Sequence, residues 1–297
     1  MEGEPKKEMY DLLPPQFLPV TFNIKSGESF EDAKRKLAKN NISYPLVVKP
    51  EIGGQGILFR KIDDDEQFKN YHDKIPVEYI IQELVTYPME VCIFYYRYPN
   101  KTKGVVTGFL QKIPLQVTGN GKNTLFELML QHPKAVERVE ELRTTHESNF
   151  DKILLPNERY ILSYAANRHR GAELRSLKKE IDNRLVDLID NISLSVNDFF
   201  YGRYDIMCSN VEDLKEGKNF CILEYNGCGA GPTHIYGPDY TLLKAYRELV
   251  MHWEALYKIS MYNRKLGVKC WSFSEGFNFL KETKKHYRIM KEADKNI

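Results

Sequence analysis

The segments YGRYDIM (201–207) and FCILEYN (220–226) carry the most pointed chemistry in the chain. Glu224 and Asn226 stand two apart in a strand pattern, so both side chains leave the same face of a sheet. The short polar stretch SNVEDLKEGKN between the segments predicts antiparallel neighbours and sets Asp205 beside that pair. Two carboxylates and an amide oxygen at a strand end make a hard donor set. Magnesium takes such a set when substrate phosphates complete its octahedron. The alternative is that Asp205 and Glu224 are polar residues at exposed strand ends. Both, however, interrupt apolar runs (Ile206 and Met207; Ile222 and Leu223), where an unpaired carboxylate is costly.

A second chemical element is YPLVVKPEIGGQG (44–56), in which Lys49 ends a buried strand and Gly53, Gly54 and Gly56 follow it. A buried ammonium is expensive unless it meets an anion, and glycines let backbone amides approach one closely. Lys49 facing phosphates under a glycine loop satisfies both requirements; a plain hairpin with a snorkelling lysine is the other reading. The third element is IIQELVTYPMEV (80–91). Main-chain groups around Glu83 and Leu84 suit an adenine edge and Glu90 suits ribose hydroxyls, or the segment is simply a hinge between lobes.

These elements need a mixed scaffold to position them. Residues 28–40 and 63–73 read as helices. Strands are expected at 44–49, 57–62, 78–84, 90–96 and 103–113, the first two forming a hairpin across the glycine turn. GNGK (119–122) predicts a turn into a helix near Thr124, and 131–160 reads as helix plus loop. From Arg175 to Asn197 the apolar residues Leu177, Ile181, Leu185, Leu188, Ile189 and Ile192 follow helical spacing. The stretches 240–260 and 274–293 also read as helices. The expected division is an N-terminal segment 1–27, a small lobe 28–88, a larger lobe 89–260 bearing the metal site, and a helical tail 261–297.

Composition narrows the function classes. With 297 residues, 42% of them hydrophobic, the chain can bury a core of one or two domains. A net charge of +2, from 43 basic and 41 acidic residues, argues against a nucleic-acid binder. The basic stretch around Lys281–Lys291 reads as a solvated helix face. No apolar run is long enough for a membrane span, and the charged start MEGEPKKEMYDLLPP is no secretory signal. Five scattered cysteines without a Cys-x-x-Cys pair point to a reducing cytoplasm rather than a disulfide scaffold or zinc site.

Taken in order, VVKPEIGGQG, IIQELVTYPMEV, GRYDIM and ILEYNG resemble the ATP-grasp superfamily, most closely its D-alanine–D-alanine-ligase-like branch. The resemblance runs from about Leu18 to about Tyr240, and VTGNGKNTLFEL (117–128) is similar to a segment of cyanophycin synthetase. It implies an α+β ATP-grasp fold, two lobes sandwiching ATP, with additional C-terminal helices. By the same resemblance Lys49 contacts the ATP phosphates, and Gly53, Gly54 and Gly56 form a mobile lid over them. Gln82, Glu83 and Leu84 line the adenine pocket, with Glu90 on the ribose. Asp205, Glu224 and Asn226 hold two Mg2+ ions, for which Mn2+ can substitute. Arg203 takes the place of the arginine that stabilises an acyl phosphate and the tetrahedral intermediate after it. A second ATP-contacting lysine precedes the lid in the family; Lys6 is the candidate and Lys7 the alternative.

The implied reaction is an ATP-dependent joining of a small carboxylate to an amine, the carboxylate being activated as an acyl phosphate. A kinase that stops at a phosphorylated metabolite, or a nucleotide-binding module without turnover, are the rival readings. Ligases of this branch begin with a substrate-binding domain, whereas this sequence starts within a few residues of Lys6. The expectation is therefore a reduced acceptor site, a partner or second copy supplying that domain, or a longer chain. After Asn226 the family's Ser-Pro-Gly stretch is replaced by GCGAGPTHIYG, in which Gly229, Gly231 and His234 are substrate candidates. Asn167, Arg168 and Arg170 of NRHRGAE either grip a substrate carboxylate or phosphate or belong to a solvated loop.

Overall fold

Most helices in this chain start where a side chain closes the first turn, Lys6–Leu12 and Val139–His146 being exceptions. Ser29 accepts from Asp32 N, Asp64 from Gln67 N and Asp182 from Leu185 N. Thr124 with Glu127, and Ser272 with Glu275, form reciprocal capping boxes. The computed structural model describes residues 5–166, 168–196, 199–237 and 239–297. In chain order the elements begin with α1 (Lys6–Leu12), β1 (Thr21–Ile24), α2 (Phe30–Lys39), β2 (Leu46–Pro50), β3 (Arg60–Ile62), α3 (Asp65–Lys74) and β4 (Tyr79–Glu83). There follow β5 (Met89–Tyr96), β6 (Val105–Ile113), β7 (Gln116–Thr118), α4 (Leu125–Gln131), α5 (Pro133–Val136), α6 (Val139–His146), β8 (Arg159–Ile161) and β9 (Glu173–Ser176). The last are α7 (Asn183–Ser195), β10 (Tyr201–Cys208), α8 (Val211–Lys215), β11 (Phe220–Asn226), α9 (Leu242–Lys265) and α10 (Phe273–Ala293).

The fold is α+β with antiparallel sheets, and the chain divides into two compact units. The first is Met1–Gln111 with Arg175–Ile297; the second is Lys112–Leu174. A four-stranded sheet in the first unit has the order β1-β4-β2-β3, with β4 antiparallel to β1 and β2. One face buries Ile24, Leu46, Val48 and Ile81 against Ala33 and Leu37 of α2 and Phe68 and Tyr71 of α3. A five-stranded sheet has the order β11-β10-β5-β6-β9, with β10 antiparallel to β5 and β11. One of its faces buries Val91, Ile93, Tyr95, Tyr204, Ile206, Ile222 and Tyr225 with Leu185, Ile189 and Ile192 of α7. The second unit has its own core, in which Leu125, Leu128 and Met129 of α4 meet Leu115, Leu142, Phe150, Leu154 and Leu162.

Three local expectations change. The helix expected over 175–197 is α7 alone, beginning at Asn183. Ahead of it Glu173–Ser176 is a strand and Lys178–Glu180 a single 3-10 turn. Leu177 and Ile181 carry helical spacing without helical backbone, because Leu177 N donates to Phe109 O of β6 and Asp182 caps the helix that follows. Asn197 lies outside the described residues. The second arm of the hairpin begins at Arg60 rather than Ile57, since Gly56 and Leu58 take left-handed backbone with φ of 73° and 57°. The polar stretch between β10 and β11 holds the short helix α8, capped by Asn210.

Candidate active site

Strand alternation explains why polar residues collect on one face of the five-stranded sheet. Opposite residues of an antiparallel pair point to the same side. Arg203 faces Asn226 on β11 and Phe94 on β5, and Asp205 faces Glu224 and Cys92. Arg203, Asp205, Glu224 and Asn226 therefore share one face with Glu90, while the intervening neighbours Tyr204, Ile206 and Tyr225 enter the core on the other. Leu223 breaks the alternation: the register shifts between Asp205 and Ile206, so Ile206 pairs with Ile222 and Leu223 is the extra residue of a bulge. Its carbonyl is turned out of the ladder and accepts from Tyr10 Oη at 2.5 Å and Lys49 Nζ at 3.4 Å.

Lys49 arrives from the other sheet. Leu46 and Val48 of β2 face the helices, so Val47 and Lys49 face away from them with Ile80 and Gln82 of β4. Lys49 Nζ donates to Tyr10 Oη at 3.1 Å and to Gln82 Oε1 at 3.2 Å. Gln82 Nε2 in turn donates to Tyr10 Oη and to Thr21 Oγ1. Burial pushes the Lys49 ammonium below its ordinary value, against the pull of Glu224, Glu90 and Asp205. An ammonium held among neutral acceptors and nearby carboxylates gains most from a polyanion. Burial also opposes the Arg203 charge, but Asp205, Cys92 and Glu224 outweigh it and hold the guanidinium above its ordinary value. Arg203 pairs with Asp205 at 3.2 Å, and Asp205 is only 3% exposed.

Asp205, Glu224 and Glu90 thus act on the Lys49 ammonium, and Asp205 and Glu224 also act on the Arg203 guanidinium. Among the described residues, buried Arg203 Nε and Asn226 Nδ2 have no hydrogen-bond partner. A hard-oxygen donor set with spare donors beside it fits a divalent ion together with phosphate groups. The geometry depends on Gly202, where an added Cβ would lie 2.2 Å from Asn226 O and 3.0 Å from the Phe199 ring. Gly202→Ala is expected to cost about 1–3 kcal/mol through this overpacking, seen as a drop of several degrees in a thermal melt.

The glycine loop is braced from both ends of the chain. Lys6, 5% exposed, donates its Nζ to Glu51 O and Gly53 O at 3.4 and 3.2 Å. Lys7 points its Nζ to Asp11 at the surface, while its backbone N–H donates to Glu51 Oε1. From α10, Met290 lies 3.4 Å from the Cβ position of Gly53, and His286 Nε2 donates to Ile52 O. Just beyond α10, Asp294 accepts from Leu58 N at 2.8 Å and pairs with Arg60. Glu83 N is engaged with Val20 O and its carboxylate with Val20 N; Leu84 follows it at the end of β4. Gly231 has open space where a Cβ would stand, and Gly229 lies in the same loop after β11. His234, 3% exposed, packs against Phe94. Arg168 and Arg170 belong to the second unit, where Arg170 pairs with Glu141. Asn167 lies outside the described residues.

Sequence reasoning missed Tyr10, the Leu223 bulge and the docking of α10 on the loop. The helical spacing of the apolar residues Met9, Tyr10 and Leu13 was the available signal for the first. The other two join residues more than 200 positions apart in places, and carry no local mark.

Comparison with known proteins gives likenesses of fold. No protein-family model matches the chain, and no curated protein matches it. Solved structures do resemble it. A bifunctional glutathione synthetase from Pasteurella multocida has a TM-score of 0.42 at 16% identity, covering 84% of this chain and 36% of its own. VanG D-Ala:D-Ser ligase from Enterococcus faecalis has 0.47 at 13%, covering 84% and 61%. D-alanine–D-alanine ligase from Bacillus anthracis has 0.48 at 13%, covering 89% and 69%. The chain thus spans about a third of the first and three fifths of the second. Among the described residues no helix is long and apolar enough to cross a membrane.

Proposed function

We propose that the chain is an ATP- and Mg2+-dependent carboxylate–amine ligase of the D-alanine–D-alanine-ligase-like kind, acting through an acyl phosphate. The observation that carries this reading is the convergence of Asp205, Glu224, Asn226, Lys49 and Arg203 on one sheet face. Asp205, Glu224 and Asn226 would hold the divalent metal, which supplies Lewis-acid charge to phosphate oxygens. Lys49 holds the phosphates by exchanging its neutral acceptors, Tyr10 Oη and Gln82 Oε1, for anionic oxygens. Arg203 offers its guanidinium where the substrate carboxylate takes up a phosphoryl group and where, on attack by the amine, inorganic phosphate leaves with one of the carboxylate oxygens. Gly53, Gly54 and Gly56 present backbone amides above the phosphates, and Lys6 holds the root of that loop. Gln82, Glu83, Leu84 and Glu90 make the nucleoside end. Gly229 and Gly231, in the loop after β11, are the acceptor-side residues, and the small acid and amine bind beside them.

Mg-ATP binding to the native state stabilises it by about 2.7 kcal/mol at a hundredfold excess over Kd. A rise of several degrees in Tm on titrating Mg-ATP is the expected result. A flat titration removes the nucleotide half of the reading. Phosphate release that depends on both an acid and an amine tests the other half.

A further inference from the structure

Behind the loop that follows β11 lies a second cluster of ligating side chains. His234 comes from the 3-10 turn Thr233–Tyr236, and Glu248 and His252 come from successive turns of α9 at i and i+4. Their ligand atoms all lie within 4.8 Å of one another. His234 Nε2 is 3.2 Å and His252 Nε2 3.6 Å from the same Glu248 Oε1. We propose that His234, Glu248 and His252 form a binding site for one divalent ion of the zinc class, separate from the oxygen site on β10 and β11.

His234 Nε2 is hydrogen-bonded to Glu248 Oε1 in this structure, and the spacing of the cluster also suits ligation. The His252 distance lies beyond hydrogen-bond reach, and among the described residues His252 Nε2, fully buried, has no hydrogen-bond partner. Ligand–ligand edges of about 3.3 Å are expected around a tetrahedral ion with metal–nitrogen bonds of about 2.0–2.1 Å. The two measured separations straddle that edge. Two imidazoles and one carboxylate are a borderline donor set, which suits zinc and its neighbours rather than magnesium.

Each ring is also held in position for the task. His252 Nδ1 lies 3.0 Å from Tyr201 Oη; donating its proton there leaves the lone pair on Nε2, aimed at Glu248. Phe94 stands edge-on to the His252 ring at 4.7 Å. The His234 ring lies where a side chain at residue 108 would be: a Cβ on Gly108 would fall 2.1 Å from His234 Nδ1. His234 also lines a small pocket with Lys178, Asp239 and Tyr240. Lys178 on that rim opposes any cation, so direct ligation rather than the local field must hold it. The expectation of no zinc site rested on the cysteines alone; this cluster uses none. An ion here pins the loop carrying Gly229 and Gly231 to α9.

The test uses the full chain carrying Asp205→Asn and Glu224→Gln, which silences the oxygen site. After chelator treatment, CoCl2 and ZnCl2 are titrated in separately. One equivalent of cobalt is expected to develop the visible absorption of a low-symmetry nitrogen-ligated ion, and zinc to raise Tm. Adding Glu248→Gln or His252→Gln should weaken cobalt binding by more than the 10–100-fold that losing a supporting group costs. If a third substitution prevents folding, the cobalt spectrum and zinc melt of the parent decide the matter. Absence of both in the parent, or cobalt affinity unchanged by Glu248→Gln, overturns the proposal.

Discussion

Asp205→Asn and Glu224→Gln are each expected to lower ATP-dependent phosphate release about a thousandfold, the scale of losing an electrostatic group at a site of developing charge. Each substitution changes charge as well as ligation. Asp205 and Glu224 face each other across β10 and β11, so either substitution also relieves the repulsion between two neighbouring carboxylates. The folded state should therefore survive the change, and the melt of the apoprotein should stay near that of the parent. What is lost is a negative charge and an oxygen that a divalent ion needs. Full activity in both variants would falsify the assignment of the oxygen site.

Lys49→Met is expected to weaken Mg-ATP binding by about 2–4 kcal/mol, which is about 30- to 1,000-fold in Kd. Methionine keeps most of the side chain's length and apolar stem while removing the ammonium. The present partners of that ammonium are a phenol, an amide and a carbonyl, none of them charged. In the proposed complex they give way to phosphate oxygens, so the energetic loss falls on the bound state. Calorimetric titration of Mg-ATP reads it directly; equal affinities for the two proteins place the phosphates elsewhere.

The most legible part of the site was the part built by alternation. Asp205, Glu224 and Asn226 interrupt apolar strands at the parity that puts them together, and the structure pairs Asp205 with Glu224 in register. Lys49 was legible for the same reason, as a charge closing the run Leu46–Val48. Alternation gives no warning of the bulge, however. An extra residue at Leu223 flips the parity before Glu224, and only pairing with β10 reveals it. Tyr10 was missed because its meaning lies 213 residues away, at the carbonyl that the bulge releases.

Leu177 and Ile181 show the opposite failure. Their spacing continues that of α7, yet a backbone bond to Phe109 and the Asp182 cap outweigh it, so tertiary pairing overrides periodicity. The i, i+4 relation of Glu248 and His252 was present in the sequence, but His234 joins them only through the fold. The docking of α10 on the glycine loop was likewise out of reach, since Met290 and Asp294 read locally as the end of a solvated helix.

The account is tested most directly by measuring phosphate release from Mg-ATP across a panel of amino acids, short peptides and other carboxylates, each with and without an amine acceptor. Release that needs both an acid and an amine, and that disappears in Asp205→Asn, is the predicted result. A phosphorylated product that accumulates with no amine present would contradict it and mark the protein as a kinase.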